Sequence, residues 1–210
     1  MTAVLVAGLS ALELDADIEA QAKLPQYIAL LDKWNRTHNL TAIRDPAQMV
    51  THHLLDSLAV LAHLPKQSRL RVLDIGSGGG LPGIPLAIAK PEWHFVLLDS
   101  NHKKAAFLRQ AAIELDLANV EVRAERAQDY EVELLFDVVI SRAFSDLATF
   151  AALARRLVAP EGRIVAMKGV FPHEELEQLP PDVLVAEVAA VRVPGLDVQR
   201  HLVIMEPRAA

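Results

Sequence analysis

Positions 71 to 83 read Arg71-Val72-Leu73-Asp74-Ile75-Gly76-Ser77-Gly78-Gly79-Gly80-Leu81-Pro82-Gly83. The run from Arg71 to Ile75 is short, apolar and of the length of a buried strand, with Asp74 near its carboxyl end. Glycines follow at 76, 78, 79, 80 and 83, and Ile84 to Ala89 then reads as a helix packed on a sheet. Strand, glycine turn and helix in this order form the first half of a nucleotide-cofactor site. Such a turn needs positive φ and lets a ligand come close to the backbone.

Two ligand classes fit the turn. Gly78-Gly79-Gly80-Leu81-Pro82-Gly83 satisfies G-x-G-x-x-G, the pattern of a dinucleotide site, which is weak when it stands alone. Asp74-x-Gly76-x-Gly78-x-Gly80 instead resembles the first motif of class I S-adenosylmethionine-dependent methyltransferases, in which the loop wraps the amino-acid part of the cofactor. Asp74 favours the second: a carboxylate repels a pyrophosphate but suits an ammonium group. A glycine-rich turn with no ligand is the bland alternative.

Composition narrows the class. A chain of 210 residues with 52% hydrophobic residues suits one domain with an appendage and a sizeable core. No apolar run has the length of a membrane span, and Met1 to Leu14 lacks the basic flank of a signal peptide. The absence of cysteine excludes disulfides, thiolate metal sites and a cysteine nucleophile, and is compatible with a cytoplasmic protein. A formal net charge of −6 argues against coating nucleic acid by charge alone, although a local basic patch can still meet a structured RNA. The His and Asp residues show no metal-ligand spacing, so no metal is expected.

Around the glycine turn the chain is organised in two parts, a helical extension over residues 1–66 and a main domain over residues 67–210. Leu24, Tyr27, Ile28, Leu31 and Trp34 recur at helical spacing within a helix expected over residues 13–36. Asn35 to Thr41 reads as a loop, and Asp45-Pro46 as the start of a second helix reaching His63. From Arg71 strands and helices alternate, the pattern of a parallel sheet covered on both faces. Strands are expected at His94 to Asp99, Val120 to Arg123, Phe136 to Ser141 and Gly162 to Lys168. Helices are expected at Lys103 to Leu117, Leu147 to Val158 and near Glu174 to Gln178. Val183 to Val193 and His201 to Met205 then follow as a hairpin. A strand–helix series closed by an antiparallel hairpin matches the Rossmann-like class I methyltransferase fold, an α/β architecture with a mostly parallel seven-stranded sheet. A dinucleotide fold would continue with strand–helix units.

Several segments in order carry a closer likeness: Asp74-x-Gly76-x-Gly78-x-Gly80-Leu81-Pro82-Gly83-Ile84-Pro85, Leu98-Asp99-Ser100, Ile140-Ser141-Arg142-Ala143-Phe144 and Met167-Lys168-Gly169. Trp34-Asn35, Asn39-Leu40-Thr41, His52-His53-Leu54-Leu55-Asp56-Ser57-Leu58 and Arg200-His201-Leu202-Val203 also fit. Over almost its whole length the chain resembles the bacterial small-subunit (16S) ribosomal RNA guanine nitrogen-7 methyltransferases, also called glucose-inhibited division protein B. The Leu-Pro-Gly-Ile-Pro extension and the Ser-Arg-Ala segment make the likeness specific.

The resemblance implies S-adenosylmethionine as cofactor, S-adenosylhomocysteine as product, and small-subunit ribosomal RNA or a ribosomal particle as partner. No obligate protein partner is evident. Gly76, Gly78 and Gly80 would lie against the methionine end of the cofactor, with Leu81 touching it from the side. Asp99 would accept both ribose hydroxyls, a bidentate task suited to a carboxylate. Ala127 and Gln128 would meet the adenine edge; Gln128 stands where the family has an acid, and an amide can still pair there. Arg142, after the fourth strand, would contact the cofactor, a phosphate or the guanine edge; its bland reading is a surface salt bridge. Lys168 lies on the same rim, and His52, His53, Asp56 and Ser57 are further substrate-facing candidates or plain helix residues. Lys103, Lys104, Arg109, Arg155 and Arg156 read as solvated helix faces that could touch RNA phosphates.

What is absent narrows the acceptor, and the resemblance names guanine nitrogen-7. Carbon-5 methylation of a pyrimidine commonly uses a cysteine, and none is present. Exocyclic amines are typically methylated by enzymes with an Asn/Asp-Pro-Pro-aromatic motif, where this chain has Ser141-Arg142-Ala143-Phe144. An oxygen or ring nitrogen remains. Guanine nitrogen-7 carries a free lone pair, so alignment alone can drive transfer and no general base is expected. Two other classes stay open: an NAD(P)-dependent oxidoreductase, and a non-catalytic ribosome-associated adaptor on the same fold.

Overall fold

The structure, a computed structural model, describes residues 2–14, 17–144 and 146–208. Seven strands form one sheet in the order β3-β2-β1-β4-β5-β7-β6. They are β1 (Arg71–Ile75), β2 (His94–Leu98), β3 (Val120–Arg123), β4 (Phe136–Arg142), β5 (Val158–Lys168), β6 (Val183–Ala190) and β7 (His201–Pro207). β1 pairs in parallel with both β2 and β4, while β7 runs antiparallel to β5 and β6. The expected mixed sheet with its terminal hairpin is therefore present. The chain leaves β1 towards one edge and returns beside it towards the other, so a crevice opens at the carboxyl ends of β1 and β4.

Helices α5 (Gly83–Ala89), α6 (His102–Glu114), α7 (Leu147–Arg155) and α8 (His173–Leu176) follow β1, β2, β4 and β5. Successive strand residues face opposite sides of the sheet. Val72 belongs to a core shared with α5, α6 and the N-terminal helices, and Leu73 to a core under α7. α1 (Thr2–Ala11) and α2 (Ile18–His38) precede the sheet, and Leu24, Tyr27, Ile28 and Leu31 of α2 are fully buried in that first core. Trp34 packs on Phe107 of α6 with ring centroids 5.6 Å apart. The helical extension thus shares a core with the sheet.

The N-terminal boundaries differ from expectation. α1 was not expected, and α2 starts where the Asp17 carboxylate caps the Ala20 N–H at 2.7 Å. α2 also continues past Asn35 to His38, ending where Asn39 takes left-handed φ 49°. Asn35 is a buried bracket: its side-chain oxygen accepts the Thr41 N–H at 2.9 Å and its amide donates to the Ile43 carbonyl at 3.3 Å. The second expected helix is a composite of α3 (Pro46–Met49), a π-helical segment Val50–Leu55, α4 (Asp56–Leu58) and a 3-10 turn Ala59–His63. Residues 53–60 are buried in succession, so no single helical face is presented there.

At the other end, β5 begins at Val158, four residues before the expected Gly162, and α7 stops at Arg155. A Cβ on Gly162 would stand 2.8 Å from the Asp137 carbonyl, where the β4–β5 register shifts.

Candidate active site

The glycine turn leaves β1 with Gly76 at φ 72° and its N–H on the Leu98 carbonyl at 2.8 Å. A Cβ on Gly76 would meet nothing within 4 Å, so the backbone there faces open space. Gly80 is glycine for a different reason: a Cβ would stand 2.5 Å from Ile84 Cγ1 of α5. Tyr27 of α2 braces the turn from behind, its buried hydroxyl donating to the Gly79 carbonyl at 2.5 Å. Burial pushes the Tyr27 pKa far up, so the phenol stays a donor.

Asp74 is fully buried, and its Oδ2 accepts the Gly83 N–H at the start of α5 at 3.0 Å. Oδ1 is buried with no hydrogen-bond partner among the described residues. Burial raises the Asp74 pKa to about 7, against the opposing pull of the Gly83 N–H. Asp74 lines neither of the two cavities at the sheet's carboxyl edge.

The first of these cavities, of about 220 Å³, is lined by Gly76, Asp99, Ala127, Gln128 and Phe144 among others. Asp99 follows β2 directly and is almost wholly buried. Its Oδ2 accepts the Gly78 N–H at 2.9 Å and its Oδ1 the Asn101 N–H at 2.8 Å. A carboxylate has about four lone-pair sites, so each oxygen keeps acceptor capacity. The loop carrying Ala127 and Gln128 is gripped by Arg156, whose Nη2 donates to the carbonyls of Ala127, of Gln128 at 2.8 Å and of Tyr130 at 3.0 Å.

The second cavity, of about 310 Å³, lies over the ends of β4 and β5 and is lined by Asp56, Arg142, Ala143, Met167, Lys168, Gly169 and Arg200. Arg142 Nη1 donates to the His52 carbonyl at 3.2 Å and sits 3.3 Å from Asp56 Oδ2. The other Asp56 oxygen accepts Arg200 Nε at 2.8 Å. One buried carboxylate thus aligns two guanidinium groups on the cavity wall. Lys168 pairs with Glu175 at 2.6 Å on the same rim. Ala143 lines this cavity and Phe144 the first, and Ala143 holds left-handed φ 62°, a strained conformation for a residue with a Cβ. Consecutive residues at that sharp bend thus line different cavities.

The structure gathers Gly76, Asp99, Ala127 and Gln128 at one cavity and Asp56, Arg142 and Lys168 at the other. Gly78 stands behind the first, bonded to Asp99, and Leu81 is buried in the apolar core. Ser57 is fully buried and lines neither cavity, and His52 reaches Arg142 through its carbonyl. His53 is buried between the Thr41 hydroxyl at 2.8 Å and the His52 carbonyl at 3.0 Å, and burial lowers its pKa to about 4. Sequence reading missed Arg200 as a site residue and took Arg156 for a solvated face. The first stood within the quoted Arg200-His201-Leu202-Val203 segment; nothing local marks the second. Among the described residues no group of three or more His, Asp or Glu could hold a metal ion, and no helix is long and apolar enough to cross a membrane.

Comparison with known proteins places this geometry. Residues 20–203 match the family model GidB, rRNA small subunit methyltransferase G. The chain is 54% identical over 199 residues to a ribosomal RNA small subunit methyltransferase G of Laribacter hongkongensis, covering 95% of each chain. Its fold is similar to that of TrmN from Thermus thermophilus (TM-score 0.56, 20% identity, 72% of this chain and 48% of that one). It is similar too to coclaurine N-methyltransferase bound to N-methylheliamine and S-adenosylhomocysteine (TM-score 0.53, 13% identity, 71% and 51%). The sheet is the class I methyltransferase fold, and the chain belongs to the rRNA small subunit methyltransferase G family.

Proposed function

We propose that this protein transfers the methyl group of S-adenosylmethionine to nitrogen-7 of a guanine in small-subunit (16S) ribosomal RNA, acting in the cytoplasm on the RNA or a ribosomal particle. The observation that carries the reading is the pair of cavities at the carboxyl edge of the sheet, one lined by Phe144 and the other by its neighbour Ala143. One suits the donor and the other the acceptor.

The residues present fit the cofactor. The open face of Gly76 admits a ligand against the backbone, and the acceptor capacity of Asp99 matches two ribose hydroxyls. The Gln128 side chain offers an amide to the adenine edge, and Arg156 keeps its loop in place. Gly78 and Gly80 shape the turn, and Leu81 supports it from the core. When bound, S-adenosylmethionine supplies an electrophilic methyl on a sulfonium.

The chain's own task is then alignment. Arg142, held by Asp56 and the His52 carbonyl, presents a cation at the end of β4, where it can orient a guanine edge or its phosphate. Lys168 extends the basic rim. Nitrogen-7 has no proton to lose, so no group here is assigned as a base, and the rate comes from positioning. In this reading residues 1–66 are the extension that braces the turn, through Tyr27, and holds Arg142, through Asp56. The dinucleotide alternative draws no support from a sheet that closes with the antiparallel β6–β7 pair.

The test is methyl transfer from radiolabelled S-adenosylmethionine to small-subunit RNA, with the product mapped by strand scission at 7-methylguanosine. Label at one guanine, together with thermal stabilisation by S-adenosylhomocysteine and not by NAD, is expected. Label on an exocyclic amine, or binding of RNA without transfer, overturns the assignment.

A further inference from the structure

The connection between β6 and β7 borders a third cavity of about 500 Å³, open to solvent and lined by residues 190–193 and 196–201. Its base is closed by the Val191 N–H on the Arg200 carbonyl at 2.8 Å, and Gly195 turns the tip at φ 75°. Arg200 lines both this cavity and the one that holds Arg142 and Lys168, so the two share a wall.

Two charged groups on its wall are chemically unspent. Arg192 is exposed and makes no ion pair or hydrogen bond among the described residues, and the same holds for Asp197. Leu196 and Val198, the latter 52% exposed, supply apolar surface on the same wall. A cation for a phosphate, apolar side chains for a base and a carboxylate for a base amino group together complement a nucleotide.

We propose that this cavity is a second nucleotide subsite, which takes the RNA nucleotide flanking the target guanosine, with its phosphate on Arg192. The shared Arg200 wall places that nucleotide beside the acceptor and favours a linked neighbour over a free mononucleotide. In a chain of net charge −6 such a local cation carries docking that the overall charge opposes. The inference rests on the RNA methyltransferase reading.

The test compares wild type with Arg192→Glu and Asp197→Ala, both at exposed positions. Arg192→Glu should raise KM for small-subunit RNA about tenfold, leave kcat within about twofold, and lower the slope of log KM against log salt by about one. Asp197→Ala should raise KM about threefold with the salt slope kept, and both variants should keep the wild-type thermal shift with S-adenosylhomocysteine. An unchanged KM and slope in Arg192→Glu overturns the subsite. Guanosine 5′-monophosphate that binds wild type but not Arg192→Glu, with RNA affinity equal in both, also overturns it, in favour of a free-nucleotide site. Anisotropy with a labelled fragment of the small-subunit RNA keeps the two readings apart. A wild type that binds RNA but transfers no methyl fails the enzymatic reading, while the Kd of Arg192→Glu still decides the subsite.

Discussion

Asp99 accepts the N–H of Gly78 at 2.9 Å, so the residue after β2 is tied to the turn after β1. Its second oxygen is tied to the Asn101 N–H, and the carboxylate is presented to the first cavity in a single orientation. In Asp99→Asn an amide nitrogen must face one of these two N–H donors, and one acceptor for the ribose is lost. The affinity for S-adenosylhomocysteine should fall about 10–100-fold, on the order of one or two lost hydrogen bonds. Calorimetric titration checks it; an unchanged Kd would remove Asp99 from cofactor binding.

Asp56 serves two arginines, with its side chain 4% exposed against 21% for that of Arg142. The deeper, shared partner should matter more to stability. Asp56→Ala leaves two neighbouring guanidinium groups without a counter-charge and should cost about 3 kcal/mol, while Arg142→Ala, which leaves Asp56 paired with Arg200, should cost about 1 kcal/mol. Arg142→Ala should nevertheless lower methyl transfer about a hundredfold or more. Urea denaturation and single-turnover transfer measured on the same preparations separate the effects, and wild-type turnover in Arg142→Ala would take Arg142 out of the mechanism.

The burial of Asp74 makes stability depend on pH. Its pKa is raised from the ordinary 3.8 to about 7 by burial, so the folded state binds more protons than the unfolded one between those values. The stabilising contribution is full below the unfolded pKa and is lost as pH rises through the folded value. His53 has the opposite sign: burial lowers it from 6.5 to about 4, so its contribution is full above 6.5 and is lost as pH falls towards 4. Between about pH 6.5 and 7 only Asp74 slopes, downward. Asp74→Asn should abolish the decline between about pH 6.5 and 7 and unmask the His53 rise in Tm between pH 5 and 6.5, which Asp74 offsets in the wild type. A variant with the wild-type profile would show that Asp74 titrates as an ordinary carboxylate.

Arg156 holds three carbonyls of the loop that lines the first cavity. Being exposed, it should add less than about 1 kcal/mol to global stability. Arg156→Ala should raise KM for S-adenosylmethionine about 3–10-fold with kcat preserved, and should speed amide exchange over residues 126–130. Arg156→Lys should not rescue, because a single ammonium cannot reproduce the guanidinium fork. Rescue by lysine would reduce the role of Arg156 to charge.

The parts of the site that were legible in the sequence are those whose physics is local. A glycine turn after an apolar strand, and an acid after the next strand, sit within a few residues of the backbone they shape. Gly76 and Asp99 were therefore readable, and both line the first cavity. The composite helix at residues 46–63 was not readable. Its apolar positions fit an ordinary helix, and the shift in hydrogen-bond period that buries His53 through Val60 in succession is imposed by packing on every side.

By itself the sequence determined the order of strands and helices, the closing hairpin and the position of the glycine turn, because side-chain periodicity and backbone conformation are set between near neighbours. Only the tertiary structure decided that Asp56 and Arg200, 144 residues apart, grip one another beside Arg142, that Tyr27 braces Gly79, and that Arg156 holds the 127–130 loop. Those contacts join groups distant along the chain, and what brings them together is burial of apolar surface across the sheet, which is non-directional and leaves no signature at any single residue.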